Sequence, residues 1–213
     1  MILHDYFRSS AAYRVRIALN LKGLDYCQQA LNLAAGEHRS EDYLRENPQG
    51  LLPALRLKDE LILTQSLAII EYLDEVHPGP VLLPASALGR ARVRALAQIV
   101  ACDIHPLNNL RVLRYLGETL GVDGTARLDW YRHWIATGLT SLEAMLRDDP
   151  ATGNFCHGDE PGLADLCLVP QLYNARRFQC ELSAYPTVVA IDARCQRLQA
   201  FQQAHPERQP DAD

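Results

Sequence analysis

Two adjacent serines sit just ahead of an apolar helical run. Arg8-Ser9-Ser10 separates Ile2-Leu3-His4-Asp5-Tyr6, which reads as a strand, from Ala11–Lys22. Hydroxyls at that corner face the unpaired N–H groups of a helix's first turn and the positive end of its dipole. Such a place stabilises an anion, a thiolate included, by lowering its pKa; its plainer role is to cap the helix. Leu51-Leu52-Pro53-Ala54 leads into a strand through proline, which ordinarily marks an edge or a turn. If the Leu52–Pro53 bond were cis, the Leu52 N–H and C=O would turn outward, ready to pair with a peptide-like ligand. Thr64-Gln65-Ser66 is a third polar corner at a helix start, able to hold a carboxylate or simply to cap the helix through Ser66.

Periodicity supplies the elements that must carry these corners. Ala11, Val15, Ala18 and Leu19 share one helical face, and Gly23 ends the helix. Tyr26–Leu33 reads as a second strand, with Cys27, Gln29, Leu31 and Leu33 on one side. His38–Glu46 reads as a short polar helix, closed by Asn47-Pro48. Ala54–Leu57 and Leu61–Thr64 flank Lys58-Asp59-Glu60 as a hairpin, and Leu67, Ile70, Leu73 and Val76 follow at helical spacing. The order β-α-β-α-β-β-α predicts a small sheet with one parallel crossover and helices against it.

Beyond the proline-rich stretch 77–84 no strand is evident. Arg90–Tyr115 carries an apolar stripe with a kink expected at Pro106, and Leu128–Leu146 carries another. Leu163–Leu172 is apolar nearly all round and should be the most buried helix. Pro186 opens a last amphipathic helix, and Pro206–Asp213 reads as a polar tail. The expected organisation is an α/β domain over residues 1–83 and an all-helical domain over 89–213.

With 21 Lys+Arg against 26 Asp+Glu, the 213-residue chain carries a formal charge of −5, which argues against nonspecific nucleic-acid binding. No apolar run is long enough for a membrane span, and the Met-Ile-Leu-His-Asp start lacks the features of a secretory signal. Six widely spaced cysteines with no Cys-x-x-Cys and no paired histidines predict free thiols in a reducing cytoplasm and no metal site.

Together these features resemble the cytosolic glutathione transferases, whose fold joins a thioredoxin-like N-terminal domain to an all-α C-terminal one. "SSAAYRVRIALNLKG" is similar to the zeta-class signature, and "NPQGLLPAL", "TQSLAIIEYLDE", "ACDIHPLNNLRVLRYL" and "NARRF" extend the match along the chain. The resemblance implies that glutathione is the cofactor, with Ser9 as the catalytic serine beside its sulfur and Ser10 as the second serine. It further implies that Leu52, before Pro53, pairs with the cysteinyl part and that Gln65 and Ser66 hold the γ-glutamyl carboxylate. His38 and Gln49 fall where the glycyl end or backbone is contacted, and Asp103 and His105 where the helical domain approaches the site, Asp103 from a partner subunit of a homodimer.

Arg8, Asn109, Arg111 and Arg177 are the implied substrate contacts; planar guanidinium groups suit bidentate carboxylate recognition. The implied reaction is cis–trans isomerisation of a maleyl acid, maleylacetoacetate first and maleylpyruvate as the alternative. A noncatalytic glutathione-binding module is the rival from another class. Two departures stand out: Ala11 and Ala12 replace the signature's cysteine and the residue after it, and Gly162 stands where the fold's usual Ser/Thr-x-x-Asp run begins.

Overall fold

The computed structural model describes residues 1–212, and the chain divides into two compact units. Met1–Leu83, joined by the stretch from Gln196 onward, forms one; Pro84–Cys195 forms the other. In the first, strands β1 (Ile2–Asp5), β2 (Cys27–Ala30), β3 (Ala54–Arg56) and β4 (Ile62–Thr64) make one sheet in the order β2-β1-β3-β4. The β1–β2 pair is parallel and therefore needs a crossover, which helix α1 (Ser10–Leu21) supplies. β3 runs antiparallel to β1 and forms a hairpin with β4. Helices α2 (Glu41–Glu46) and α3 (Ser66–Val76) complete the expected order. Leu3, Val15, Leu19, Leu55, Ile69 and Leu73 are fully buried in the core.

Three local expectations are corrected. The second strand is Cys27–Ala30 rather than Tyr26–Leu33, and Cys27 and Gln29 on its expected inner side are exposed, because β2 is an edge strand. His38–Glu46 is not one helix: a 3-10 turn, Glu37–Arg39, precedes α2, and Ser40 between them accepts the Tyr43 N–H as the cap of α2. The N-cap of α3 is Gln65, with φ of 69°, and Ser66 is the first helical residue.

The second unit is helical: α4 (Ala87–Gln98), a π-helical stretch Ile99–Ile104, α5 (Leu110–Arg114), a second π-helical turn Tyr115–Thr119, α6 (Gly124–Arg147), α7 (Leu163–Arg177) and α8 (Pro186–Cys195). The helix expected over Arg90–Tyr115 is thus broken, not kinked. The chain leaves helical geometry around Pro106, which has no N–H to continue the ladder, and Asn109 restarts it by accepting the Arg111 N–H. At Gly138 of α6 a Cβ would lie 2.2 Å from Ile104 Cδ1, so only glycine lets α6 lie this close to the 99–104 stretch. Leu163–Leu172 is buried throughout, as its composition predicts. Gly162 N–H donates to the Asp165 carboxylate at 2.9 Å, but with no hydroxyl it returns no side-chain bond to the helix.

The C-terminal stretch corrects the domain expectation. From Gln196 onward, including α9 (Gln199–Ala204) and a 3-10 turn Pro206–Arg208, the chain belongs to the first unit. Polar groups of α1 and β2 draw it there. Arg16 Nε donates to the Ala204 carbonyl at 3.0 Å, Asn20 Nδ2 to the Ala200 carbonyl at 3.0 Å, and Gln28 Nε2 to Gln209 Oε1 at 2.8 Å. A guanidinium as buried as that of Arg16 needs acceptors, and this stretch provides one of them, beside Asp5 and the Phe7 carbonyl.

Candidate active site

Strand register gathers the polar corners of the first unit. His4 pairs with Ala54, Ala54 with Thr64, and Asp5 with Ala30. The ends of β1, β2 and β4 and the start of β3 therefore lie along one edge of the sheet. The loops holding Ser9, His38, Leu52 and Gln65 all leave from that edge.

Ser9 is the N-cap of α1; its Oγ accepts the Ala12 N–H at 3.3 Å. That bond uses an acceptor lone pair and leaves the hydroxyl proton to be donated outward. Ser10, by contrast, is buried. The two serines, equivalent by sequence, are separated by the structure, and Ser9 is the more accessible. Arg8 is exposed; its Nη2 donates to the Tyr6 hydroxyl at 2.9 Å and its guanidinium lies 4.7 Å from the centre of the Phe7 ring.

The Leu52–Pro53 peptide bond is cis. Leu52 lies outside the β3–β4 ladder, which begins with the Ala54–Thr64 pair, and its side chain packs with Tyr43 and Ala54. The loop before it is held from α2: Tyr43 Oη and Asn47 Nδ2 donate to the Leu51 carbonyl at 2.6 and 2.8 Å, and Asn47 Oδ1 accepts the Gln49 N–H at 3.1 Å. Gly50, at φ of 56°, passes so close to the 37–39 turn that a Cβ would sit 3.0 Å from the His38 carbonyl oxygen. His38 itself is buried. Gln65 Nε2 donates to Gln49 Oε1 at 2.9 Å, so two of the expected binding residues touch each other.

Ser66 Oγ accepts a bond from Arg14 Nη1 at 3.2 Å, both side chains being buried. Its hydroxyl proton and the N–H groups at the start of α3 remain the donors for an anion, next to a buried cation. Gln65 holds a left-handed conformation that disfavours any residue but glycine, a departure tolerated where a site over-determines the backbone. Sequence reasoning missed Arg14, Tyr43 and Asn47. The available signal was Arg14 and Arg16 inside an otherwise apolar helix, where solvated arginines are out of place.

His4 is buried, with Nε2 2.9 Å from Glu46 Oε2, while Arg56 pairs with the other Glu46 oxygen. Burial opposes the charged ring more than Glu46 favours it, and Arg56 adds to the effect, so the His4 pKa lies below the ordinary 6.5. The unfolded chain therefore takes up a proton at a pH where the folded one does not. Stability from this group is complete above about pH 6.5 and falls as the pH drops below it. We expect the urea midpoint to decline between pH 7 and 5.5, and His4→Gln to flatten part of that decline; parallel curves for the two proteins would exclude His4 as the cause.

In the second unit Asp103 is exposed on the π-helical stretch, and His105 and Asn109 follow it through the Pro106 turn. Arg111 is exposed in the first turn of α5. Arg177 ends α7, also exposed, with its guanidinium 4.9 Å from the centre of the Phe178 ring; that ring stacks on Tyr131 at 3.9 Å. Its neighbour Arg176 is tied instead to buried Asp192 at 2.6 Å. Burial pushes the Tyr131 hydroxyl well above its ordinary pKa, so it stays protonated.

Residues 8–76 match the family described as Glutathione S-transferase, N-terminal domain. Maleylacetoacetate isomerase of Rhizobium meliloti (strain 1021) is 55% identical over 207 residues, covering 97% of this chain and 96% of that protein. A holo structure of maleyl pyruvate isomerase, described as a bacterial zeta-class glutathione S-transferase, matches at 50% identity and a TM-score of 0.97 with both chains fully covered. The chain belongs to the zeta-class glutathione transferases. A structure of maleylacetoacetate isomerase from Methylobacterium extorquens AM1 with bound malonate and GSH matches at 46% identity and a TM-score of 0.98, again over both full chains. The glutathione transferase fold accounts for the thioredoxin-like sheet of the first unit and the helices of the second.

Proposed function

We propose that this zeta-class transferase is a glutathione-dependent cis–trans isomerase that converts maleylacetoacetate to fumarylacetoacetate. One observation carries the reading: at the edge where the Ser9, Leu52 and Gln65 loops meet, Ser9 Oγ accepts from its own helix and keeps its proton to donate. The donor set fits glutathione. Ser9 O–H and the first turn of α1 suit a thiolate, the Leu52 backbone outside the ladder suits a peptide unit, and the start of α3 with Gln65 and Ser66 suits a carboxylate.

Glutathione, when bound, supplies a thiol nucleophile whose reversible addition to the double bond permits rotation. The protein's own groups do the rest. Ser9 O–H and the positive end of α1 hold negative charge on the sulfur at neutral pH. Arg8, Arg111 and Arg177 bind the substrate carboxylates, with Asn109 beside Arg111, and positive charge near the developing enolate oxygen lowers the barrier. His38, Gln49, Pro53, Asp103 and His105 complete the proposed glutathione contacts, and Ser10, buried as the first residue of α1, is the second serine of the proposed catalytic pair. The exposed apolar residues Leu110 and Tyr115 support a homodimer contact, and six free cysteines support a cytoplasmic setting.

The test is the loss of cis-enedione absorbance on maleylacetoacetate and maleylpyruvate, side by side, with and without glutathione. We expect turnover that requires glutathione and is faster on maleylacetoacetate. The reverse preference reassigns the substrate, and binding of glutathione without turnover reduces the protein to a binding module.

A further inference from the structure

The backbone that delivers Ser9 is held on every side. Tyr6 N–H donates to Asp5 Oδ1 at 2.7 Å, and the Tyr6 carbonyl accepts the Ser9 N–H at 2.8 Å. The Phe7 carbonyl accepts from Arg16 Nη2 at 3.0 Å. The last bond comes from the far end of the chain: Phe7 N–H donates to Asp211 Oδ2 at 2.9 Å.

The tail that brings Asp211 there is itself anchored. Arg16 Nη1 donates to both Asp5 oxygens, at 2.7 and 2.8 Å, and both side chains are fully buried. Gln28 Nε2 joins Asp5 Oδ2 to Gln209 Oε1, while Gln209 Nε2 donates to the Gln203 and His205 carbonyls at 2.9 and 2.7 Å. Thus one polar network runs from the start of α1 through β1 and β2 to residue 209, and Asp211 closes it on the loop.

We propose that Asp211 is a positioning residue: the C-terminal tail clamps the Tyr6–Ser9 loop and so sets where the Ser9 hydroxyl points. Phe7 is only 8% exposed, so its N–H without Asp211 is a poorly solvated donor with no acceptor. The loop relieves that loss by turning the Phe7 peptide, and Arg8 and Ser9 move with it. Small displacements of a group aligned on a reacting atom reduce rate far more than they reduce binding. The catalytic half of this inference rests on the function proposed above; the clamp itself does not.

The experiment compares wild type, Asp211→Ala, Asp211→Asn and a chain ending at Pro210 by amide hydrogen exchange over residues 6–10, by kcat and KM, and by the pH profile of turnover. Asp211→Ala and the shortened chain should exchange faster over residues 6–10 than elsewhere in the first unit. Their kcat should fall about tenfold with KM little changed, and their acidic limb should move to higher pH. Asp211→Asn keeps an acceptor oxygen and should behave as wild type. Unchanged exchange at residues 6–10 in the Ala variant, or an Asn variant as impaired as Ala, overturns the proposal. So does a uniform rise in exchange across the unit, which marks a merely structural role. If wild type shows no glutathione-dependent turnover, the function proposal falls, while the exchange data still decide the clamp.

Discussion

Replacing Ser9 with alanine lowers isomerase turnover at pH 7 by about four- to eightfold, while the protein still binds a glutathione-affinity resin. The magnitude follows from losing one hydrogen bond to a charged group, worth about 1.5–2 kcal/mol and so about one unit or slightly more of thiol pKa. A free thiol has a pKa near 8.5, and lowering it by roughly two units corresponds to about 2.7 kcal/mol. The hydroxyl and the α1 dipole share that task, so the alanine variant retains the dipole's part and is not silent. The sign of the pH effect is fixed by this account. Without the hydroxyl the thiol ionises later, the acidic limb shifts upward, and activity recovers toward pH 9. Turnover unchanged at pH 7 would remove Ser9 from the chemistry. A uniform loss at every pH would indicate misplacement rather than lost charge stabilisation.

Arg177→Ala raises KM for the maleyl substrate by about 10- to 50-fold and spares a neutral test electrophile, as expected when one charge-assisted carboxylate contact is lost. The geometry favours Arg177 over its neighbour. Stacking on Phe178 occupies the face of the guanidinium and leaves its in-plane N–H edge for a carboxylate, whereas Arg176 is committed to buried Asp192. Arg177→Lys should recover only part of the affinity, since an ammonium keeps the charge but not the fork. Steady-state kinetics on both substrates, with thermal unfolding alongside, decides the matter. Equal losses on the two substrates would show that Arg177 supports the fold instead.

The order of elements in the first unit was legible because its breakers are local: Gly23 ends α1, Asn47-Pro48 ends α2, and the hairpin flanks a charged turn. The corners at Ser9, Leu52 and Gln65 were legible as polar interruptions of apolar runs. What brings them together is the register of β1 with β2 and β3, a long-range pairing that no local pattern encodes. Arg14 and Arg16 escaped notice because charged residues on a helix normally mark its wet face, and here both are buried with partners distant in sequence. Capping preference pointed to Ser66, but the turn out of β4 places Gln65 in the cap position instead. The stripe over Arg90–Tyr115 was legible and its break was not, since apolar spacing alone does not distinguish a continuous helix from π-helical stretches separated by a turn. The tail's polar residues read as solvent-exposed for the same reason that Arg16 did.

That the first unit is assembled from two segments far apart in the chain inverts the usual order of events on the ribosome, where the earliest residues made are the earliest to fold. Arg16 and Gln28 emerge early, yet Ala204 and Gln209, which accept their hydrogen bonds, follow them by 188 and 181 residues. Until then the nascent sheet carries a guanidinium short of one acceptor, and water must keep that flank open. The intervening helices of 84–195 have no such wait, so the segment made second can be the first to close.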